Sequence, residues 1–141
     1  MSHATPRELE ETSIRDIMEQ LSLSETEARE WRAAFMRKYF ADRERVYSFL
    51  KVHNPKVAEL EERGDYRNRI RQVSSEMRIP ETTASALVIT GEVLSEGALK
   101  LLRKQRHLRK KKSTPQDIQE MLGVSVPIPQ DVWDALGMDD A

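Results

Sequence analysis

The chain has 141 residues, of which 38% are hydrophobic and 33% charged, with 23 Lys and Arg against 24 Asp and Glu and no Cys. This length suits one ordinary domain with a modest core, and the absence of Cys excludes disulfides, thiolate catalysis and thiolate-bound metals. No apolar run approaches the roughly 20 residues of a bilayer span, and the opening Met-Ser-His-Ala-Thr-Pro-Arg-Glu-Leu-Glu is acidic rather than signal-like, so a cytoplasmic protein with no membrane partner is expected.

Apolar residues recur at three- and four-residue spacing almost throughout, which predicts helix and argues against strand. The first helix is expected from Thr12 to Leu21, with Ile14, Ile17, Met18 and Leu21 on one face. Ser24-Glu-Thr-Glu27 has the form of a capping box. It should open a helix whose Trp31, Phe35 and Tyr39 share one stripe, read here as core. Asp42 is positioned to cap a third helix that ends before His53-Asn54-Pro55, because the residue before proline resists helical backbone angles. Val57 and Leu60, then Ile70, Val73 and Met77, continue the period across a turn at Gly64-Asp65, and Ile79-Pro80-Glu81 marks a boundary.

From Glu81 to about Lys111 lies the longest helical stretch, with Gly91 and Gly97 as weak points and a break conceivable at Leu94-Ser95. On a helical wheel Leu94, Ala98, Leu101, Gln105 and Leu108 form one narrow stripe. Around it lie Lys100, Arg103, Lys104, Arg106, His107, Arg109, Lys110, Lys111 and Lys112. Eight of the 23 basic residues thus fall within residues 100–112, with no acidic residue among them. Ser113-Thr114-Pro115 closes this run. Thr114 is placed to cap a helix from Pro115 to Leu122, and a last helix is expected from Gln130 to Leu136.

The predicted fold is therefore all-α: a compact bundle of about six helices with helix-turn-helix-like pairs. Residues 1–112 form a helical domain ending in a basic amphipathic helix, and residues 113–141 a short helical appendage with an acidic tail. Charge is segregated along this plan. Residues 1–30 carry three basic and eight acidic side chains, and residues 113–141 none and six. The acidic ends either fold back on the basic helix or leave it free for a partner.

Three stretches have the helix, three-residue turn, helix spacing of a DNA-reading motif: 14–28, 70–84 and 116–125. The third, with Leu122-Gly-Val-Ser125 at its centre, has the most usual turn. The helices that follow the first and third begin with Glu25 and Glu27, or carry Asp131 and Asp134. Both are poor DNA readers, since a reading helix must offer donors to phosphates and base edges. A turn at Gly64-Asp65 is better, because it puts Tyr66, Arg67, Asn68, Arg69 and Arg71 at the start of a helix. Arg67, Asn68 and Arg71 become the candidate groove residues.

That stretch resembles the helix-turn-helix core of ParB-type and KorB-type partition proteins. The match runs through Val57-Ala-Glu-Leu-Glu-Glu-Arg-Gly64, Arg67 to Met77, Ile79-Pro-Glu81 and Gly91-Glu-Val-Leu-Ser-Glu-Gly-Ala98, before Leu101-Leu102. It covers about a third of the chain. It departs from the family pattern by an extra residue near Val93, a missing His before Ala98 and the lack of a preceding nucleotide-binding arginine motif. The resemblance implies DNA binding through this helix pair, without the family's CTPase activity.

The function expected is a non-enzymatic nucleic-acid-binding protein, with DNA ahead of RNA, acting alone or within a larger protein assembly. The basic helix would neutralise phosphates, and Arg67, Asn68, Arg69 and Arg71 would add contacts. Nucleoid association fits this reading, and Lys110-Lys-Lys112 is compatible with nuclear entry. His3, His53 and His107 lack ligand spacing, and no catalytic or metal motif is present, so neither an enzyme nor a bound metal or cofactor is expected. The alternative is a helical adaptor or inhibitor docking its basic helix on an acidic partner. A homo-oligomer pairing acidic ends with basic helices is the third reading.

Overall fold

The computed structural model of the chain describes residues 6–108 and 114–137, with side chains at 10–103 and 114–137. Among them are seven helices and no strand: α1 (Pro6–Leu21), α2 (Glu25–His53), α3 (Lys56–Glu62), α4 (Gly64–Met77), α5 (Glu81–Leu108), α6 (Pro115–Leu122) and α7 (Gln130–Ala135). The all-α class follows. The chain divides into two compact units, residues 1–41 and 42–141.

The first unit holds α1 and the start of α2. Ser22 adopts a left-handed backbone, with φ 54°. The expected capping box forms behind it: the Glu27 N–H donates to Ser24 Oγ at 3.2 Å, and the Ser24 N–H donates to Glu27 Oε1 at 3.1 Å. These bonds hold the Glu27 carboxyl below its ordinary pKa. Ile14 and Ala28 are buried. Arg29 bridges Glu11 at 3.0 Å and Glu25 at 2.8 Å, exposed pairs that each contribute little.

The aromatic stripe is a correction. Trp31 and Phe35 are 44% and 52% exposed, and Tyr39 is exposed as well. Periodicity detects a helix, but burial requires a neighbour on that side. In this unit α2 has one helical neighbour, and the small Ala28 takes the inward place. The rings stack on each other instead, Trp31 on Phe35 at 5.4 Å and 7°, and Phe35 on Tyr39 at 6.4 Å and 13°.

The second unit has a continuous core from α2 to α7: Val46 and Leu50, Val57 and Leu60, Ile70, Val88 and Ile89, Ile118 and Leu122, Val132 and Trp133. α5 is its axis, with α3, α4 and α6 packed on it. α6 and α7 belong to this unit and supply side chains to the same core. No new helix begins at Asp42, because α2 runs unbroken to His53. Asn54 is buried there. Its amide donates to Leu122 O at 2.8 Å and its carbonyl accepts from Lys56 N at 3.0 Å, satisfying a polar group whose unpaired burial would cost about 1–3 kcal/mol.

α6 is built as the sequence reads. Thr114 and Asp117 form a reciprocal capping box, Pro115 takes the first turn, and Gly123 ends the helix at φ 67°. α7 begins at Gln130, as expected, so the segment after α6 is longer than the three-residue turn of a DNA-reading motif. α5 is unbroken at Leu94-Ser95. Its inward line runs through Val93, Gly97 and Leu101, with Leu94 half-buried, while Ala98 is exposed. That shift from the expected stripe has a cause: at Gly97, α6 approaches so closely that a Cβ would fall on the Met121 backbone carbonyl.

The two helical glycines should therefore respond in opposite ways. Gly97→Ala is expected to destabilise, since overpacking costs about 1–3 kcal/mol against the roughly 1 kcal/mol that Ala adds in helix propensity. A Cβ at Gly91 meets nothing within 4 Å, so Gly91→Ala should stabilise by up to about 1 kcal/mol. Urea denaturation of the two variants measures both signs.

Candidate nucleic-acid interface

α3 and α4 are separated by Arg63 alone, whose extended backbone (φ −69°, ψ 133°) turns the chain. Gly64 is thus the first residue of α4 rather than part of a longer turn. Arg63 pairs with Asp65 at 2.8 Å and lies 5.1 Å from the centre of the Tyr66 ring. Tyr66 is half-buried against the core. Burial, then its hydrogen bond to Glu92, raises its phenol pKa.

Arg67, Asn68, Arg69 and Arg71 are all exposed, and none forms an ion pair among the described residues. Helical spacing separates them into two arcs. Arg67, Asn68, Arg71 and Ser75 share an outward arc that carries no carboxylate. Arg69 shares its arc with Asp65 and Glu76, which offset its charge. Ile70, between these arcs and the interior, is buried and anchors the helix.

A surface cleft of about 350 Å³ opens beside Arg67 and Arg71, where α2, α4 and the start of α5 meet the end of α3. Lys51, Thr82 and Ser85 line it with them, together with Tyr47, Glu61, Ile70 and Glu81. Tyr47 donates a hydrogen bond to Glu61, and Lys51 lies 3.8 Å from the same carboxylate. The Glu61 charge is thereby engaged, Glu81 is the other carboxylate of the lining, and neither arginine on the rim forms an ion pair among the described residues. An open cleft with cations and hydroxyls can seat an anionic group such as a phosphate. Among the described residues no three His, Asp or Glu side chains gather as a metal site would require.

Lys51, Thr82 and Ser85 were not among the residues singled out from the sequence. Their common signal is weak: each lies on an outward or half-buried helical position, and only packing brings them to Arg67 and Arg71.

The basic helix is described in part. Lys100 and Arg103 are exposed on α5, beside Leu99 and Leu102 at 55% and 64% exposure. Lys104, Arg106 and His107 fall within the span of α5, with side chains outside the described set. Arg109, Lys110, Lys111 and Lys112 lie outside the described residues. α5 relates the two basic regions, for Glu92 bonds Tyr66 and Glu96 pairs with Lys56. That pairing holds the Glu96 carboxyl below its ordinary pKa. Lys100 is one turn beyond, about 12 Å along the axis from Glu92 at 1.5 Å per residue.

Compared with protein-family models, curated proteins and solved structures, the chain matches none. The assignment of function therefore rests on the chain's own residues.

The cleft also makes a pH dependence testable. Burial first, and then the bond to Glu61, push the Tyr47 phenol above its ordinary value of 10.0. The folded state then holds this proton where the unfolded state releases it, so its contribution is full below about pH 10 and lost as pH rises beyond. Tyr47→Phe should cost about 1 kcal/mol at neutral pH and show a smaller fall in stability than the parent between about pH 9 and 11. Denaturation midpoints at the two pH values measure the difference.

Proposed function

We propose that the chain is a small non-enzymatic nucleic-acid-binding protein, with duplex DNA as the preferred ligand. The observation that carries this reading is the acid-free arc of Arg67, Asn68 and Arg71 on the first two turns of α4. These side chains are exposed and without ion partners among the described residues, on a helix that follows another after a single turn residue. A helix-turn-helix reader joins its helices by a three- or four-residue turn, which Arg63 alone does not supply, so the reading rests on the exposed donors themselves, which suit phosphate and base-edge contacts. The resemblance to partition-protein cores supports the same assignment, since α4 coincides with the segment that would read DNA. The Gly91–Ala98 segment of that resemblance lies inside unbroken α5.

In this reading Arg67 and Arg71 bind phosphate or guanine, and Asn68 is placed for an adenine edge. The Thr82 hydroxyl faces an adjacent phosphate, with Lys51, which also faces Glu61, and Ser85, which also bonds Tyr47, beside it. Lys100, Arg103 and the basic residues up to Lys112 extend the electrostatic contact, with Arg69 in a lesser part. Interior groups play no chemical role. The ligand is held by charge and shape, and no bond is made or broken.

The exposure of Leu99 and Leu102 beside Lys100 and Arg103 favours one rival, an adaptor laying this amphipathic helix into an acidic protein groove. Salt dependence separates the two. With duplex oligonucleotides, log K should fall linearly with log salt at a slope of about 0.9 per phosphate neutralised. Replacing Arg67 and Arg71 by Ala should reduce that slope by nearly two, and replacing Lys104, Arg106, Lys110 and Lys111 should reduce it further. Arg63→Ala, which removes a cation already paired with Asp65, should change it little. An absence of binding at low salt, or a slope indifferent to all these changes, would favour the adaptor.

A further inference from the structure

The exposed aromatic stripe of α2 has a self-complementary layout. Glu27, Trp31, Ala34 and Lys38 recur at spacings of four, three and four, which puts them on one helical line. All four are exposed. Phe35 stacks on Trp31 at 5.4 Å, stiffening the apolar centre of that line. An exposed, rigid pair of large rings on a charged surface marks an interaction site.

We propose that this line is a dimer interface in which two copies of the chain pair antiparallel, α2 against α2. A two-fold axis crossing α2 between Arg32 and Ala33 makes the assignment specific. It puts Trp31 of each copy over Ala34 of the other, so that each indole fills the space left by a small residue. The same axis sets Glu27 opposite Lys38 at both ends, in addition to the contacts that each makes within its own chain. An isologous interface of this kind closes on itself and yields a dimer rather than a filament.

The competing occupants fit less well. Parallel pairing in the same register would oppose Trp31 to Trp31, Glu27 to Glu27 and Lys38 to Lys38. Stacking of unpaired bases on Trp31 would bring phosphates toward Glu27 and Glu30, in a segment where residues 1–30 carry eight acidic and three basic side chains. The aromatic area is modest. About half of the roughly 150–250 Å² of each ring gives, over four rings, on the order of 400 Å², well below the roughly 1,200 Å² of a standard interface. The dimer is therefore expected to be weak and concentration-dependent.

Sedimentation equilibrium of the full chain through a hundredfold concentration series about the micromolar range tests this, without reference to nucleic acid. Wild type should shift from monomer to dimer mass. Trp31→Ala should weaken association by about tenfold or more, and Ala34→Trp alone should also weaken it by opposing two indoles. The double variant Trp31→Ala/Ala34→Trp exchanges ring and gap on both copies and should recover association to within about threefold of wild type. Far-ultraviolet circular dichroism checks that each variant stays helical. A monomer mass for wild type throughout would overturn the proposal, as would a double variant no better than either single one. Quenching of Trp31 emission by a single-stranded oligonucleotide at constant monomer mass would assign the stripe to bases instead.

Discussion

The second unit depends on the close approach of α6 to α5 at Gly97. A helix backbone can lie directly on another only where one of them carries no side chain, and Gly97 supplies that gap beneath Met121. With α6 so near, Ile118 and Leu122 reach the core built by α2, α3 and α5. Asn54 then finds Leu122 O within 2.8 Å. Remove the gap, and an apolar contact and a buried hydrogen bond are lost together.

This packing also positions the basic surface. α5 carries Glu92 and Glu96, whose bonds to Tyr66 and Lys56 fix α4 and α3 along it. The orientation of α4 in turn decides which of its residues face outward. Of the carboxylates near Arg67 and Arg71, Asp65 pairs with Arg63, and Glu61 is engaged by Tyr47 and Lys51, while Glu81 lines the same cleft. Electrostatic availability at the rim is thus set in part by pairing elsewhere.

Local signals in the sequence were legible wherever one residue type dictates backbone geometry. Ser24 and Glu27, Thr114 and Pro115, Asn54 before Pro55, and Gly123 each mark helix ends found in the structure. Asp42 misled because a capping residue acts only where a helix begins, and the flanking residues favour continuing α2. The stripe of Trp31, Phe35 and Tyr39 misled for another reason: periodicity reports a face but not what stands opposite it. The expected line through Ala98 failed similarly, since a glycine at Gly97 turned the inward face by one position. For the candidate site, the place of Arg67, Asn68 and Arg71 near the start of a helix was legible, although Gly64 and Asp65 belong to α4 rather than to a turn before it. Lys51 and the Thr82 and Ser85 hydroxyls were not, because their meeting depends on long-range packing of three helices.

The bond from Asn54 to Leu122 also has a meaning in time. It joins residues 68 positions apart, so on a chain made from its amino end the turn between α2 and α3, closed locally by Lys56 N–H on Asn54 Oδ1, gains its bond to Leu122 only once α6 exists. Local helices can form early, whereas this closure comes after most of the chain exists. Until then Gly97 is bare backbone and Asn54 is hydrated. The order of synthesis thus leaves the assembly of the second unit to one of its shortest helices.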